Sequence, residues 1–320
     1  MTDPQERWEY RGYSIQDVKA MPSEVYLIEG ANRSEAIHQL LTHFKLDDFA
    51  SKQVALKPNY NSADPFPAQT HPETLHCLIN ELQAAGVSEL KLGDRSGMGK
   101  TSEVLEQGGV IKLGKKMKFE IQILDDLPVA GWVHCDVEES HWDRGFLMAR
   151  MFIDAEKVVQ TCCLKTHQFG GHFTLSLKNS VGMVARYNPQ DGYDYMGELH
   201  GSPNQREMIA EINTAYTPDL ILMDGIKAFV KGGPAVGEPV TPNLLLASAD
   251  RVAIDAVGVA ILRHFGTTKE VEKGPIFELP QLARAIELAL GASSLHDIKF
   301  MPLDDYSEQM AEEILKQFAK

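Results

Sequence analysis

Apolar residues recur along this chain in two alternating periods. Residues 25–28 form a short apolar run bounded by polar residues, which reads as a strand. Beyond Ser34, which is placed to cap a helix, Ile37, Leu40, Leu41 and Phe44 follow at helical spacing. Residues 54–57 read as a strand ending in Lys-Pro-Asn. Pro72 sits at a first helical position, and Gly86 stops that helix. Residues 90–92 begin the next strand, with a glycine-containing loop at 93–99. Such alternation predicts β–α–β crossovers and hence a parallel sheet. From 112 to 142 the pattern is less regular, as expected of an insertion or a passage between lobes. A second run follows. It has strands at 158–164, 220–223 and 244–247, helices at 172–184 and 205–216, and a helix capped by Asp250 that runs to His264. Amphipathic helices at 280–290 and 307–318 complete it.

The expected fold class is therefore α/β, with mostly parallel sheets flanked by helices. An N-terminal arm at 1–24 precedes one α/β domain at 25–320, or two lobes at about 25–125 and 150–320 with a cleft between them. Four loops follow predicted strands, at 57–61, 93–99, 165–171 and 224–237. Ligands of open parallel sheets bind beyond the carboxyl ends of the strands, so polar residues in these four loops are expected to converge.

Charge sharpens that expectation. The 320 residues carry a net charge of −14, which argues against binding nucleic acid or anionic membranes, because the mean field repels phosphate. Yet no aspartate or glutamate occurs between Lys157 and Gln190, where the overall frequency would give about five. Lys157, Lys165, Lys178, Arg186, His167 and His172 stand there instead. A cationic island in an acidic chain points to a site for a small anion. The four cysteines, Cys77, Cys135, Cys162 and Cys163, show no C-x-x-C spacing, so neither a zinc knuckle nor an iron–sulfur cluster is encoded. Adjacent Cys162 and Cys163 read as core thiols. This usage, a polar N-terminus unlike a signal peptide, and apolar runs too short to span a membrane together predict a cytoplasmic protein.

Within the island, Lys165-Thr166-His167 ends a strand, His172 follows across Gly170-Gly171, and Lys178-Asn179 opens the next element. A strand-end lysine supplies charge, a histidine moves protons or ligates a metal, and an asparagine orients a ligand. His167 and His172 are the candidate metal ligands, although H-x4-H alone is a weak signature. Lys57 and Asn59 lie at another strand end, with His71 before Pro72, where side chains and helix amides suit an anion. Asp224 is placed to act as base, metal ligand or partner to Lys165. Asp255, inside a helix, is placed to reach a buried polar partner or the site. Residues 94–101 approach a phosphate loop, G-x-x-x-x-G-K-[ST]: Gly99, Lys100 and Thr101 fit, but Asp94 stands where the first glycine belongs.

These motifs, in order, resemble the domain-of-unknown-function family 362. They are Lys57-Pro-Asn, HPETL after Thr70, Gly93-Asp94 with Gly97, Lys165-Thr166-His167, Leu177-Lys178-Asn179 with Gly182, His200, Asp224-Gly225-Ile226, GGPAVGEP from Gly232, and VAIDAVG after Asp250. The resemblance implies an α/β fold. Many relatives carry a ferredoxin-like module, which has no counterpart in these cysteines. The region from Lys57 to Gly97 also resembles, distantly, the first lobe of the nickel-pincer lactate racemases. Their cofactor is tethered to a lysine with a histidine on the metal, and by fold-level analogy the resemblance implies Lys165, His167, His172 and His200 as candidates for the analogous parts. The resemblance adds His200 to Lys57, Asn59 and Asp94 as expected substrate-binding residues, beside catalytic Lys165, His167, Lys178, Asn179 and Asp224. The expected function is that of an enzyme on a small carboxylate or phosphate, with a divalent or transition metal as the candidate cofactor. The rivals are a non-catalytic anion or metal carrier linked to iron–sulfur redox systems, and a nucleotide binder at 94–101. The oligomeric state is not legible.

Overall fold

A computed structural model of the protein describes residues 21–319. The expected arm therefore lies, up to residue 20, outside the described residues, and strand β1 (Ser23–Glu29) begins inside its remainder. The other strands are β2 (Gln53–Lys57), β3 (Glu89–Asp94), β4 (Glu120–Ile123), β5 (Trp132–Cys135), β6 (Phe146–Ala149), β7 (Lys157–His167), β8 (His172–Phe173), β9 (Leu220–Gly232), β10 (Gly237–Val240), β11 (Leu244–Ser248) and β12 (Ile298–Pro302).

The main sheet has the order β12-β1-β11-β9-β7-β2-β3-β4, with β8 and β10 attached to β7 and β9. Strands β9, β7, β2, β3 and β4 are parallel neighbours, and β12 is parallel to β1. Only β11 runs against both of its neighbours in that order. The fold is thus α/β with a mostly parallel sheet. The strands assigned by sequence to two separate lobes hydrogen-bond into this one sheet, with β2 directly beside β7.

Each long strand feeds cores on both faces, because successive side chains alternate sides. In β9, Ile221 and Met223 pack with the helix Arg251–His264, whereas Leu220 and Leu222 pack with the helices Arg33–Leu41 and Pro72–Ala84. The irregular stretch 112–142 contains an edge strand of the main sheet, β4. It also contains β5, which pairs with β6 in a separate hairpin over a third apolar cluster.

Three local expectations change. The first helix is capped by Asn32, whose side chain accepts from Glu35 N, and not by Ser34. β9 is much longer than the expected 220–223, because it runs on into a hairpin with β10. Residues 172–184 do not form one helix: β8 folds back on β7, and two short turns follow, at Ser176–Asn179 and Ser180–Met183. The cause lies in the helix Arg251–His264. There the Asp255 carboxylate takes the Ser176 amide (2.8 Å), the Ser176 hydroxyl (2.6 Å) and the Leu177 amide (3.0 Å). Those amides are held by a fixed acceptor from another element, which seats Lys178 and Asn179 against the sheet.

Candidate active site

A cavity of about 420 Å³ opens at the carboxyl ends of β2, β3, β7 and β9. All four expected loops reach it, through Lys57 and Asn59, Asp94, Lys165 and His167, and Pro234. Lys178, Asn179 and His200 line it too. This is the ligand position of open parallel sheets.

Its three lysines are buried, and they differ in what surrounds the ammonium group. Lys57 Nζ meets Asp94 Oδ1 at 2.7 Å, and donates to Pro58 O (2.6 Å) and Asn179 Oδ1 (3.2 Å). Lys165 Nζ donates to Asn59 Oδ1 (2.7 Å), Pro67 O (3.0 Å) and Ala68 O (2.5 Å). An ammonium has three donors, so both are fully engaged by the protein. The Lys178 ammonium has no protein hydrogen-bond or ion-pair partner among the described residues and opens on the cavity, although its side chain is largely buried. Burial lowers the pKa of all three, and for Lys57 the neighbouring Asp94 charge opposes the shift. Lys178 falls to about 8, through burial and then the charges of Arg95 and Lys165. Lys57 is neutralised locally, Lys165 contributes field, and Lys178 contributes field together with unused donors.

Two histidines face the same space in different states. His200 Nδ1 lies 2.7 Å from Met196 O. A carbonyl only accepts, so Nδ1 carries the proton and Nε2 keeps its lone pair. His200 is exposed at the cavity rim, yet partial desolvation and the nearby Lys178 charge lower its pKa against the opposing Met196 hydrogen bond, which favours this neutral form. His167 is pushed far below its ordinary range, by burial first and by Lys178 next. Its Nδ1 is buried without a partner among the described residues. A buried ring nitrogen left unpaired is a site that a ligand atom or water satisfies.

Asn179 ties the floor together. Its amide donates towards Lys57 O, Gln160 Oε1 and Thr161 O at 3.3–3.4 Å, and its carbonyl oxygen faces Lys57 Nζ and Asn59 Nδ2. Gly182 permits this closeness. A Cβ there would lie 2.7 Å from Asp94 Oδ1 and 2.8 Å from Lys57 Cε. Gly171 does the same under Lys178 and His167, where a Cβ would come within 2.8 Å of Lys178 Cε and 3.0 Å of His167 Nδ1.

Other expected residues fall elsewhere. Asp224 does not line the cavity. Its carboxylate accepts from Thr74 Oγ1 (2.6 Å), Arg33 Nε (3.2 Å) and the Ile226 amide (3.2 Å). It is not a partner to Lys165. His172 sits opposite His167 in the β7–β8 register, outside the lining, and His71 caps the helix Pro72–Ala84. The residues at 94–101 do not form a phosphate cradle: Asp94 is committed to Lys57 and to the Tyr60 and Arg95 amides, and Lys100 points to solvent beside Glu103. A metal fits poorly. No group of three His, Cys, Asp or Glu able to hold one occurs among the described residues, and the cavity's two imidazoles stand near Lys165, Lys178 and Arg95, which repel a divalent ion.

Sequence reasoning passed over Arg95. Its guanidinium braces the cavity wall by donating to Val184 O (2.8 Å) and Val181 O (2.7 Å). Its only sequence signal is its position directly after a strand-end aspartate. Tyr60, Met98, Phe169 and Tyr187 also line the cavity unforeseen.

Against known families, residues 54–260 match the model described as "Domain of unknown function (DUF362)". The chain belongs to the DUF362 family. Every residue carried over from the family motifs, from Lys57 to Asp255, lies inside that match. Among curated proteins the chain is similar to the thylakoid-associated protein sll1697 of Synechocystis sp. (strain ATCC 27184 / PCC 6803 / Kazusa). The two are 29% identical over 217 residues, covering 66% of this chain and 63% of that one. The match thus spans less than two thirds of the relative's length. Among solved structures, the lactate racemase apoprotein from Thermoanaerobacterium thermosaccharolyticum aligns with a TM-score of 0.43 and 15% identity, over 64% of this chain and 50% of that one. No helix among the described residues is long and apolar enough to cross a membrane. All four cysteines are free and buried.

Proposed function

We propose that this DUF362 protein is an enzyme that acts on a small carboxylate or phosphate, with the substrate anion bound directly by Lys178. The observation that carries this reading is an ammonium on a largely buried side chain that opens on the cavity with no protein partner among the described residues. Such a group is only partly hydrated in the cavity, and a ligand anion supplies the complement that the protein does not. Lys165 adds field from behind without touching the anion. Lys57, Asp94, Asn59 and Asn179 keep the floor rigid, which holds the charges in place for a developing oxyanion.

The proton acceptor in this scheme is His200, through Nε2, and not His167. A base must bind a proton near neutral pH, and His167 is held too strongly neutral for that. His167 serves instead as a neutral hydrogen-bonding group towards the substrate. Asp224 has no part in the chemistry. A carrier would use Lys178 in the same way but would have no use for a free imidazole nitrogen beside it, so the enzyme reading is preferred. Four free thiols fit a reducing compartment, which supports placing the protein in the cytoplasm.

The test is thermal unfolding of the full chain with phosphate, pyruvate, lactate and oxalate in turn. A bound anion stabilises the native state by mass action, about 2.7 kcal/mol at a hundred times its Kd. At least one of these anions should raise the midpoint of the wild type and leave Lys178→Met unmoved. Equal protection of both proteins, or of neither, removes Lys178 as the anion site.

A further inference from the structure

The cavity changes character from floor to mouth. Seven large hydrophobic side chains are exposed among the described residues. Three of them, Met98 (43% exposed), Phe169 (53%) and Tyr187 (55%), line this one cavity. A fourth, Val236, follows two residues after Pro234, which also lines it. Single exposed apolar residues scattered over a surface need no explanation. Several gathered around a cationic cavity do, since clustered apolar surface marks a binding face. The three come from loops on different elements: one after β3, one between β7 and β8, and one following the Ser180–Met183 turn. Floor and mouth are continuous, because the Phe169 ring stands edge-on to His167 with centroids 5.7 Å apart and planes at 77°. The volume of about 420 Å³ also lies in the range of roughly 300–1,000 Å³ typical of drug-sized ligands, and exceeds what a bare oxyanion fills.

We propose that the ligand is an amphipathic anion, whose carboxylate or phosphate head meets Lys178 and whose apolar body lies along Met98, Phe169 and Tyr187. This rests on the anion-binding reading of the same cavity and narrows its substrate class. Specificity then divides between the two ends. The floor selects charge, and the mouth selects length and shape.

The experiment is calorimetric titration of the full chain with acetate, butanoate, hexanoate and octanoate. Burial of each added CH2 against the mouth should raise affinity about two- to fourfold. The double variant Met98→Ser/Phe169→Ser alters exposed positions and should fold normally. In it, the gain from acetate to octanoate should shrink at least tenfold. In Lys178→Met the whole series should weaken together. Equal affinity for acetate and octanoate, with both lost in Lys178→Met, overturns the amphipathic ligand while leaving the anion site standing. A chain-length gain unchanged in the double variant overturns it as well, since the apolar bodies then bind elsewhere. If Lys178→Met binds the series as tightly as the wild type, the anion site fails and the inference goes with it. A parallel series of alkyl phosphates shows which head group the floor prefers.

Discussion

Two polar clusters stand at the carboxyl ends of adjacent parallel strands, and both were plausible sites. Around Asp224, at the end of the β9 stretch that pairs with β7, every charge has its complement: Thr74, Arg33 and the Ile226 amide satisfy the carboxylate. Around Lys178 the complement is missing. Residue types do not separate these clusters, since each gathers buried ionisable groups near the carboxyl ends of the strands. What separates them is the count of donors and acceptors. A closed count describes structure, because the interaction is complete as folded. An open count describes a place for something else.

The largest expected effect tests the closed cluster. Asp224→Ala leaves Arg33, whose side chain is 11% exposed, beside a vacated carboxylate, and removes the acceptor of Thr74. Breaking a buried pair from one side costs about 3 kcal/mol or more. Urea unfolding should show that loss, while anion protection at Lys178 persists in the folded fraction. A variant that keeps full stability but loses anion protection would move Asp224 back into the site.

The second effect has the opposite sign. Lys178→Met should stabilise the ligand-free protein at pH 7 by on the order of 1 kcal/mol, because it replaces a partly desolvated cation that has no protein partner with an apolar chain of similar length. The pH dependence fixes the cause. The folded pKa of about 8 lies below the ordinary lysine value of 10.5, so between these limits the unfolded chain binds more protons. Stability therefore rises as pH climbs from about 8 towards 10.5, and the benefit is lost as pH falls through 8. Lys57 and Lys165 add to the same slope, so the informative quantity is wild type minus variant. That difference should shrink across this window. A flat difference would mean that Lys178 is already paired or solvated.

These contrasts also mark what the chain made legible. The strand ends were readable because short apolar runs stop at polar residues, and the acid-free stretch led to Lys165, His167, Lys178 and Asn179, which do share one cavity. Pairings between distant elements were not readable. Nothing near Asp224 in sequence announces Arg33 or Thr74, and nothing near Ser176 announces Asp255, whose carboxylate breaks the helix that local periodicity predicts over 172–184. Burial pushes the Asp255 pKa up to about 7 against the hydrogen bonds that oppose it, so its cost is set by tertiary surroundings alone. The same limit governed the lysines. Spacing brought three of them to one place, but only geometry distinguishes the two with spent donors from the one without.

The smallest expected effect is a test of that distinction on a fourth lysine. Lys100 belongs to the near-match to a phosphate loop at 94–101, yet its side chain is 80% exposed, with Glu103 at 3.3 Å. An exposed ion pair within one helical turn contributes a few tenths of a kcal/mol. Lys100→Ala should accordingly change stability by less than about 0.5 kcal/mol and leave anion protection as in the wild type. The nucleotide reading demands the reverse, since a phosphate-loop lysine contacts the bound phosphates. ATP protection of the wild type that disappears in Lys100→Ala would restore that reading. It would also show that the unused donors of Lys178 had been given too much weight. Unchanged protection in Lys100→Ala, beside its loss in Lys178→Met, means that donor count outranks motif as the guide to this site.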